Sequence, residues 1–154
     1  MYCFYLEVGL GFELMVRVKI NLPQEFPYQT EIRVQIGDIN YGNHLSNDAV
    51  LRMCHEARVR YLKSFGFTER DALGKGIILS DSMIVYKGEG FHGDLLKVQI
   101  ALQDFNKYGF DMMYLFTRDG KDIAHAKTGI VFFDYELRKV SQLPEGFRKA
   151  VHCE

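Results

Sequence analysis

The sequence is poor in cysteine, proline and tryptophan: of 154 residues, three are cysteine, three are proline and none is tryptophan. Cys3, Cys54 and Cys153 form an odd set without C-x-x-C spacing, which argues against a disulfide framework and favours a reducing compartment. No apolar run approaches the roughly 20 residues of a membrane-spanning helix, and the first residues lack the basic segment of a signal peptide. We therefore expect a cytoplasmic protein that does not insert into a membrane.

An excess of charge of one sign is also lacking. Lysine and arginine together number 19, aspartate and glutamate 20, and no block of like charge occurs. Proteins that bind nucleic acids or anionic membranes usually carry such an excess. We therefore expect no nucleic-acid partner and a small-molecule ligand.

The length suits one domain with its own hydrophobic core. Residues 1–14 (MYCFYLEVGLGFEL) precede a second methionine, Met15, from which apolar and polar residues alternate. We interpret residues 1–14 as an N-terminal extension from an upstream start, or alternatively as an extra edge strand. Residues 15–154 are then a single domain.

Apolar periodicity in the first half of the chain predicts a strand, a polar loop and one long helix. Residues 28–36 (YQTEIRVQI) alternate with period two, and residues 37–44 (GDINYGNH) are rich in turn formers. Ser46 to Asp48 offer N-cap oxygens, and Gly66 follows the last residue of a helical apolar stripe. The stripe consists of Val50, Cys54, Ala57, Tyr61 and Phe65. On the exposed face, four-residue spacing predicts that Glu56 pairs with both Arg52 and Arg60.

The second half of the chain contains four strand-like stretches, at residues 77–87, 95–104, 108–118 and 123–135. Their connections, GEGFHGD, FNKYG and RDGKD, carry turn residues, and the last includes an Asp-Gly pair typical of hairpins. This order predicts an α+β fold in which the four strands form a meander and the helix covers one face of the sheet. Such a sheet has exposed edges, which self-association would cover.

Several motifs occur in an order that resembles one family of hotdog-fold acyl-CoA thioesterases. Residues 32–62 (IRVQIGDINYGNHLSNDAVLRMCHEARVRYL) match a strand with an arginine, a loop of the form D-x-D-x-x-x-H-[VL]-x-N and a helix with E-A-R. GDLLKV, DG, AHAKTGIVFFD and LP follow at residues 93–98, 119–120, 124–134 and 143–144. Over residues 28–147 the chain is similar to the 4-hydroxybenzoyl-CoA thioesterase-like family.

This resemblance implies an α+β hotdog fold, in which a five- to six-stranded antiparallel sheet wraps around a long central helix. It also implies hydrolysis of an acyl-CoA or acyl-carrier-protein thioester without a cofactor, by a homodimer or a dimer of dimers. In the family, the polar loop lies at the N-terminus of the helix, in a groove shared by two subunits. First-turn N–H groups, here those of Asn47 and Asp48, would hold the thioester oxygen.

The chain departs from the family at the acid that usually acts as nucleophile or general base, because Asn40 occupies the second aspartate of D-x-D. A neutral amide cannot take up a proton at neutral pH. In a first interpretation, Asp38 and His44 activate a water that Asn40 positions, similar to an Asp, Asn and His network in plant acyl-carrier-protein thioesterases. In a second, an acid from elsewhere, such as Asp48 or Asp81, replaces the missing one. In a third, the domain binds the thioester without efficient hydrolysis.

The catalytic set predicted from the sequence is thus Asp38, Asn40 and His44, although Asp38 and His44 can also be plain turn residues. The acyl group is expected in an apolar tunnel between the helix and the sheet of the neighbouring subunit. Candidates for its wall are Met53, Tyr61, Met83, Val85, Phe110 and Met112; candidates for the coenzyme A rim are Lys87, Lys97 and Lys107. The histidines show no metal-ligand spacing, so no metal is predicted.

Two functions of other classes compete with hydrolysis. A hotdog dehydratase or hydratase would use a histidine with an acid in different motif surroundings, and the D-x-N-x-x-x-H and E-A-R motifs argue against it. A non-hydrolytic acyl-thioester-binding protein is favoured by Asn40 alone. Measuring hydrolysis before and after Asn40→Asp separates this last alternative from an enzyme.

Overall fold

The computed structural model describes residues 18–151. The predicted extension at residues 1–14, Met15, Cys3 and Cys153 lie outside the described residues. Residues 18–27 lead to the first strand without helix or strand structure of their own. Between residues 18 and 151, no helix has the length and apolar composition needed to cross a membrane.

The described chain consists of one long helix, one short helix and a six-stranded antiparallel sheet, which confirms the predicted α+β class. The elements are β1 (Tyr28–Arg33), α1 (Asn47–Ser64), β2 (Gly76–Tyr86), β3 (Leu95–Gln103), β4 (Gly109–Arg118), β5 (Lys121–Asp134), β6 (Lys139–Val140) and α2 (Phe147–Val151). The strands follow the sheet order β1-β3-β4-β5-β2, and β6 pairs with β5. A 3-10 turn, Ile36–Asp38, links the first strand to the polar loop.

The prediction that four consecutive strands form a meander is wrong for β2. Strands β3, β4 and β5 do form a meander, but β2 pairs with β5 at the far edge of the sheet. The connection at residues 87–94 is too long for a tight hairpin, and it instead crosses one end of the sheet. There, Leu45 N donates to Gly90 O at 2.7 Å and Val34 N to Asp94 O at 2.9 Å. The crossing therefore lies against the polar loop.

The core lies between α1 and one face of the sheet. Helix residues Ala49, Cys54 and Ala57 are fully buried, and Tyr61 is nearly so. They pack against inward-facing strand residues, which include Leu96, Val98, Ile100, Tyr114, Phe116, Ala124 and Ala126. Burial of this apolar surface gives the main favourable free energy that holds the helix on the sheet. The predicted helical stripe is thus confirmed as its buried face, with Phe65 at its partly buried end.

Of the two predicted ion pairs on the exposed face of α1, one is present. Arg60 Nε donates to Glu56 Oε1 at 2.6 Å, as predicted. The pairing of Arg52 with Glu56 is wrong, because Arg52 binds Asp48 one turn earlier and Asp38 in the preceding loop. The loop folds over the first turns of the helix and brings Arg52 a second carboxylate, while Glu56 is already bound by Arg60.

The two edges of the sheet differ. At the β1 edge, Arg60 Nη1 donates to the backbone oxygen of Glu31 at 2.8 Å and to Thr30 Oγ1 at 3.1 Å. A helix side chain therefore covers part of that edge. At the β2 edge, the large side chains of Leu79, Met83 and Tyr86 are each about 40% exposed.

Candidate active site

The loop between β1 and α1 is a closed turn held by its own backbone. Asn40 N donates to His44 O at 3.0 Å, and Asn43 N donates to Asn40 O at 3.0 Å. Ile39 and Leu45 form an antiparallel bridge at the base of the turn. Asn43 has a φ of 61°, in the left-handed region that asparagine tolerates better than most residues. The predicted ordered loop is therefore present.

Asn40 and His44 contact each other within this turn. Asn40 Oδ1 accepts from Gly42 N at 2.8 Å, which leaves its Nδ2 at 3.4 Å from His44 Nδ1. The same ring nitrogen lies 3.3 Å from Leu45 O. A proton on Nδ1 satisfies Leu45 O and leaves a lone pair on Nε2; in the other tautomer Asn40 donates to Nδ1 and Nε2 carries the proton. The ring can therefore present either a base or a donor at Nε2.

Asp38 belongs to a different set of contacts. Its Oδ1 accepts from Arg52 Nη2 at 3.0 Å and its Oδ2 from Gln35 N at 2.8 Å, and the side chain is only 16% exposed. None of its hydrogen bonds goes to Asn40 or His44. The structure therefore divides the predicted catalytic set, with Asn40 and His44 together and Asp38 held by Arg52. Sequence analysis missed Arg52 because only local spacing guided its pairing.

The first turn of α1 has an unusual cap. Ser46 is the N-cap residue, but its hydroxyl does not bind a backbone N–H of the helix and instead donates to Asp48 Oδ1 at 2.7 Å. This bond, followed by that of Arg52, holds the pKa of Asp48 below its ordinary value. The first-turn N–H groups, including those of Asn47 and Asp48, therefore have no side-chain cap from Ser46. Such groups, at the positive end of the helix dipole, can bind an oxygen that develops negative charge.

Tyr86 reaches the same end of the helix from the sheet. Its hydroxyl donates to Asn47 O at 2.9 Å, although the side chain is 40% exposed. The end of β2 is thereby joined to the start of α1. Sequence analysis did not select Tyr86, because its alternation in β2 indicates a face of the sheet but not which part of the helix that face meets.

Two of the six predicted acyl-wall residues, Tyr61 and Met83, do not lie at the loop of the same protomer. Tyr61 is buried against Tyr28 and Phe65, with ring centroids 5.2 and 5.0 Å away, roughly 20 Å along the helix from Asn47. Met83 is paired with Lys127, whose neighbours in β5 are buried on the helix side. Because side chains alternate along a strand, Met83 and Lys127 share the opposite face of the sheet.

Asp81, the alternative acid on β2, is also remote from the loop. Its carboxylate binds Lys127 Nζ at 2.8 Å and the Ser80 hydroxyl at 2.9 Å. The lysines predicted for the coenzyme A rim are dispersed. Lys87 directly follows β2, whereas Lys97 lies on β3 and Lys107 in the connection from β3 to β4.

No cluster of three or more His, Cys, Asp or Glu suited to a metal ion occurs within residues 18–151. Cys54 is fully buried, and burial raises the pKa of its thiol to about 12. A thiol that stays protonated is a poor nucleophile. Cys54 is therefore a packing residue, as expected from its place in the helical stripe.

The sequence profile of the thioesterase-like superfamily matches residues 34–151. The chain belongs to this superfamily. The match covers the loop, α1 and all strands except β1, so the predictions of the family and of a thioesterase-class enzyme are confirmed. No curated protein matches the sequence significantly.

Solved structures of similar fold confirm the hotdog architecture of this thioesterase-like chain. A 1,4-dihydroxy-2-naphthoyl-CoA thioesterase from Synechocystis is 22% identical, with a TM-score of 0.72 over 81% of this chain and 95% of that one. A thioesterase from Thermus thermophilus, complexed with coenzyme A and Zn, is 22% identical, with a TM-score of 0.72 over 82% and 98%. A gentisyl-coenzyme A thioesterase is 18% identical, with a TM-score of 0.71 over 79% and 99%.

Proposed function

We propose that this protein hydrolyses acyl-CoA thioesters with a water molecule that His44 activates at the start of α1. The observation that supports this proposal best is the contact of His44 Nδ1 with Leu45 O, which leaves Nε2 free to act as a base, in a loop that precedes a helix without a Ser46 cap. The loop supplies an imidazole nitrogen that can act as a base, and the helix supplies N–H donors.

In the proposed reaction, His44 Nε2 takes a proton from water while the water oxygen attacks the thioester carbonyl carbon. The N–H groups of Asn47 and Asp48 stabilise the negative charge that grows on the carbonyl oxygen. The tetrahedral intermediate then expels the coenzyme A thiolate, which receives the proton from His44. Free acid and coenzyme A are the products. In this tautomer Leu45 O accepts from His44 Nδ1 and orients the imidazole, while Asn40 holds the turn by accepting from Gly42 N and needs no charge for this role.

The acids named in the second interpretation suit the role of base less well. Hydrogen bonds from Ser46 and Arg52 keep Asp48 ionised and lower its basicity, because a lower pKa means a weaker affinity for protons. Asp81 faces away from the helix of its own protomer and is bound by Lys127. His44 therefore remains the preferred base.

We further propose that the protein acts as a homodimer that associates through β2. This edge exposes Leu79, Met83 and Tyr86, whereas Arg60 covers part of the β1 edge. An exposed strand edge is a surface at which a second copy can continue the sheet. Met83 then contacts the acyl group only across the dimer interface, and buried Tyr61 acts through packing. A dimer of dimers would add a second interface.

Coenzyme A, and not a carrier protein, is the proposed thiol carrier. A protein carrier of acidic character needs a basic docking patch, yet Arg52, the cation that contacts the loop, is already bound by two aspartates. Two proteins of similar fold are named as thioesterases of aromatic acyl-CoAs, and a third, from Thermus thermophilus, is complexed with coenzyme A. Aromatic thioesters therefore belong in the first substrate panel beside fatty ones.

The cysteine content supports a cytoplasmic location for the protein. We treat residues 15–154 as one domain.

The test is thiol release from short, medium, long and aromatic acyl-CoAs, measured for the wild type, His44→Ala and His55→Ala. His55 is a matched control, because it is an exposed histidine that binds Glu69 and has no contact with the loop. We expect His44→Ala to lower kcat/KM by about 100-fold or more, as loss of a general base does, and His55→Ala to stay within about twofold of the wild type. Equal activity in all three proteins would exclude His44 as the base.

Asn40 supports a second candidate function, binding of acyl thioesters without hydrolysis. Asn40→Asp discriminates between the two. If the wild type is nearly inactive and Asn40→Asp raises hydrolysis by orders of magnitude, the natural protein is a binding module. If Asn40→Asp lowers activity or leaves it unchanged, Asn40 belongs to a working hydrolytic site.

A further inference from the structure

We infer that Asp38 and Arg52 are a positioning pair that fixes the catalytic loop on the first turns of α1, and that Asp38 transfers no proton. The catalytic half of this inference rests on the proposed hydrolase function. The structural half, that the pair holds the loop on the helix, stands on the contacts alone. This assignment gives Asp38 a different role from the one that the sequence predicts.

Asp38 is occupied on both its backbone and its side chain. Its N–H donates to Gln35 O at 3.0 Å, and its Oδ2 accepts from Gln35 N at 2.8 Å. Its backbone oxygen accepts from Ser46 N at 2.8 Å, and its Oδ1 accepts from Arg52 at 3.0 Å. Asp38 therefore joins the end of β1, the loop and the residue that precedes α1. A carboxylate used in this way has little freedom to collect a proton from water.

Arg52 joins the same segments from the helix side. Its Nη2 donates to Asp38 Oδ1 at 3.0 Å and to Gly37 O at 3.3 Å, while Nη1 binds the Asp48 carboxylate. The bond to Asp38 contributes most to raising the pKa of Arg52 above its ordinary value. A planar guanidinium can bind three groups in this fork, whereas a lysine ammonium is a point charge without that geometry. Arginine is therefore the residue that the contacts require.

The location of the pair also separates it from the proposed chemistry. Asp38 and Arg52 line a groove of about 470 Å³ between β1 and α1, together with Ile32, Met53 and other residues. Asn40 and His44 do not line this groove. Because Ser46 N is bound to Asp38 O, the pair sets where the helix start lies relative to His44. Small errors in such a distance reduce catalysis strongly, by up to about 100-fold for a displacement of roughly 1 Å.

The first test compares steady-state kinetics and pH profiles of Asp38→Asn, Arg52→Gln, Arg52→Lys and the double variant D38N/R52Q. We expect Asp38→Asn and Arg52→Gln each to lower kcat by about 10- to 100-fold without moving the acid limb of the pH profile. The double variant should be no worse than the poorer single one, since both remove the same contact. Arg52→Lys should recover only part of the loss. Glu56→Gln is the matched control, because it breaks a helix ion pair that does not touch the loop.

If Asp38→Asn abolishes the acid limb while Arg52→Gln retains wild-type kcat, Asp38 is the base and the inference is wrong. A second measurement does not depend on activity: amide hydrogen exchange of Ser46 N–H in the wild type, Asp38→Asn, Arg52→Gln and Glu56→Gln. Exchange of this amide should be at least about tenfold faster in Asp38→Asn and Arg52→Gln than in the wild type, and unchanged in Glu56→Gln. Unchanged exchange in all variants would contradict the pair's positioning role. If neither the wild type nor any variant hydrolyses a thioester, the proposed function fails. The exchange data still decide whether the pair holds the loop.

Discussion

Gly42 lies directly against the ring of His44: a Cβ atom added at Gly42 would stand 2.8 Å from Nε2 and 3.1 Å from Asn40 Oδ1. Contacts below 3.0 Å force one partner to move, and the partner here is the imidazole that we propose as the base. We therefore expect Gly42→Ala to displace the His44 ring and to lower kcat/KM by about 10- to 100-fold.

Gly37 provides the control for this prediction. It lies in the same loop, has no atom within 4 Å of an added Cβ and, like Gly42, does not have a positive φ. Gly37→Ala should therefore keep nearly wild-type activity, and thermal unfolding should show both variants folded. Wild-type activity in Gly42→Ala would mean that the position of Nε2 does not matter for the reaction.

Association through β2 predicts that one exposed leucine is needed for the dimer and another is not. Leu79 is 42% exposed on the β2 edge, and Leu137 is 64% exposed in the turn that follows β5. An aspartate buried in an interface without a partner is costly, so Leu79→Asp should yield monomers, while Leu137→Asp should remain dimeric. Light scattering after size-exclusion chromatography measures the mass. A monomeric wild type, or a dimeric Leu79→Asp, would rule out this interface.

The Arg58–Glu69 pair predicts a pH-dependent loss of stability. Arg58 is only 7% exposed, and its Nε donates to Glu69 Oε1 at 2.7 Å. Glu69→Gln removes the carboxylate partner of a buried guanidinium, so we expect it to lower the free energy of unfolding at pH 7 by about 2 kcal/mol. Glu56→Gln, which breaks the exposed pair with Arg60, should cost less than about 1 kcal/mol.

The sign of the pH effect follows from Glu69. Burial raises its pKa, but hydrogen bonds from Arg58 and His55 outweigh burial and leave the pKa below its ordinary value of 4.5. The stabilisation is therefore complete above that value and is lost as the pH falls through the lower pKa of the folded protein. Denaturant unfolding from pH 7 to pH 3 should show the wild type and Glu69→Gln converging. A constant difference would contradict the prediction.

Cys54 predicts the opposite trend at alkaline pH. Because burial raises the pKa of its thiol to about 12, the folded protein keeps this proton at pH 10, whereas an unfolded chain with a thiol pKa of roughly 8.5 loses it. Above the thiol pKa of the unfolded chain, the free energy of unfolding of the wild type should fall by up to about 1.4 kcal/mol per pH unit. Cys54→Ala has no thiol and should lack this pH-dependent fall. The variant should be about 1 kcal/mol less stable than wild type at pH 7 and no less stable near pH 10. Parallel unfolding curves would refute this.

Long periodic segments could be predicted from the sequence as helices or strands, whereas the elements that they pair with in the fold could not. The bounds of the 18-residue helix α1 follow from an apolar stripe between Val50 and Phe65, with cap residues before it and Gly66 after it. The alternation in β2 identifies a strand but says nothing about its partner. Its pairing with β5 depends on a connection that crosses the sheet end, and no local pattern encodes that crossing.

The candidate site shows the same limit at the scale of side chains. Its residues all come from one predicted loop and the helix start, so their proximity could be predicted. Which way each side chain leaves the loop could not, because the 3-10 turn Ile36–Asp38 directs Asp38 toward Arg52 while the following turn joins Asn40 to His44. Helical spacing pairs Arg52 with Glu56 because it reveals only partners one turn away, whereas Asp38 lies outside the helix.

The side chain of Arg60, which extends from α1 and binds the backbone of β1, has a consequence for how large an assembly can grow. Suppose that a sheet can be extended at only one of its edges. Two copies then form a closed pair, because their extendable edges occupy each other. Two extendable edges on every copy would instead permit head-to-tail growth into a filament without a defined end. If copies associate through β2 as we propose, the guanidinium that binds the Glu31 oxygen limits extension at the other edge, and we expect loss of Arg60 to appear first as turbidity or high-mass species.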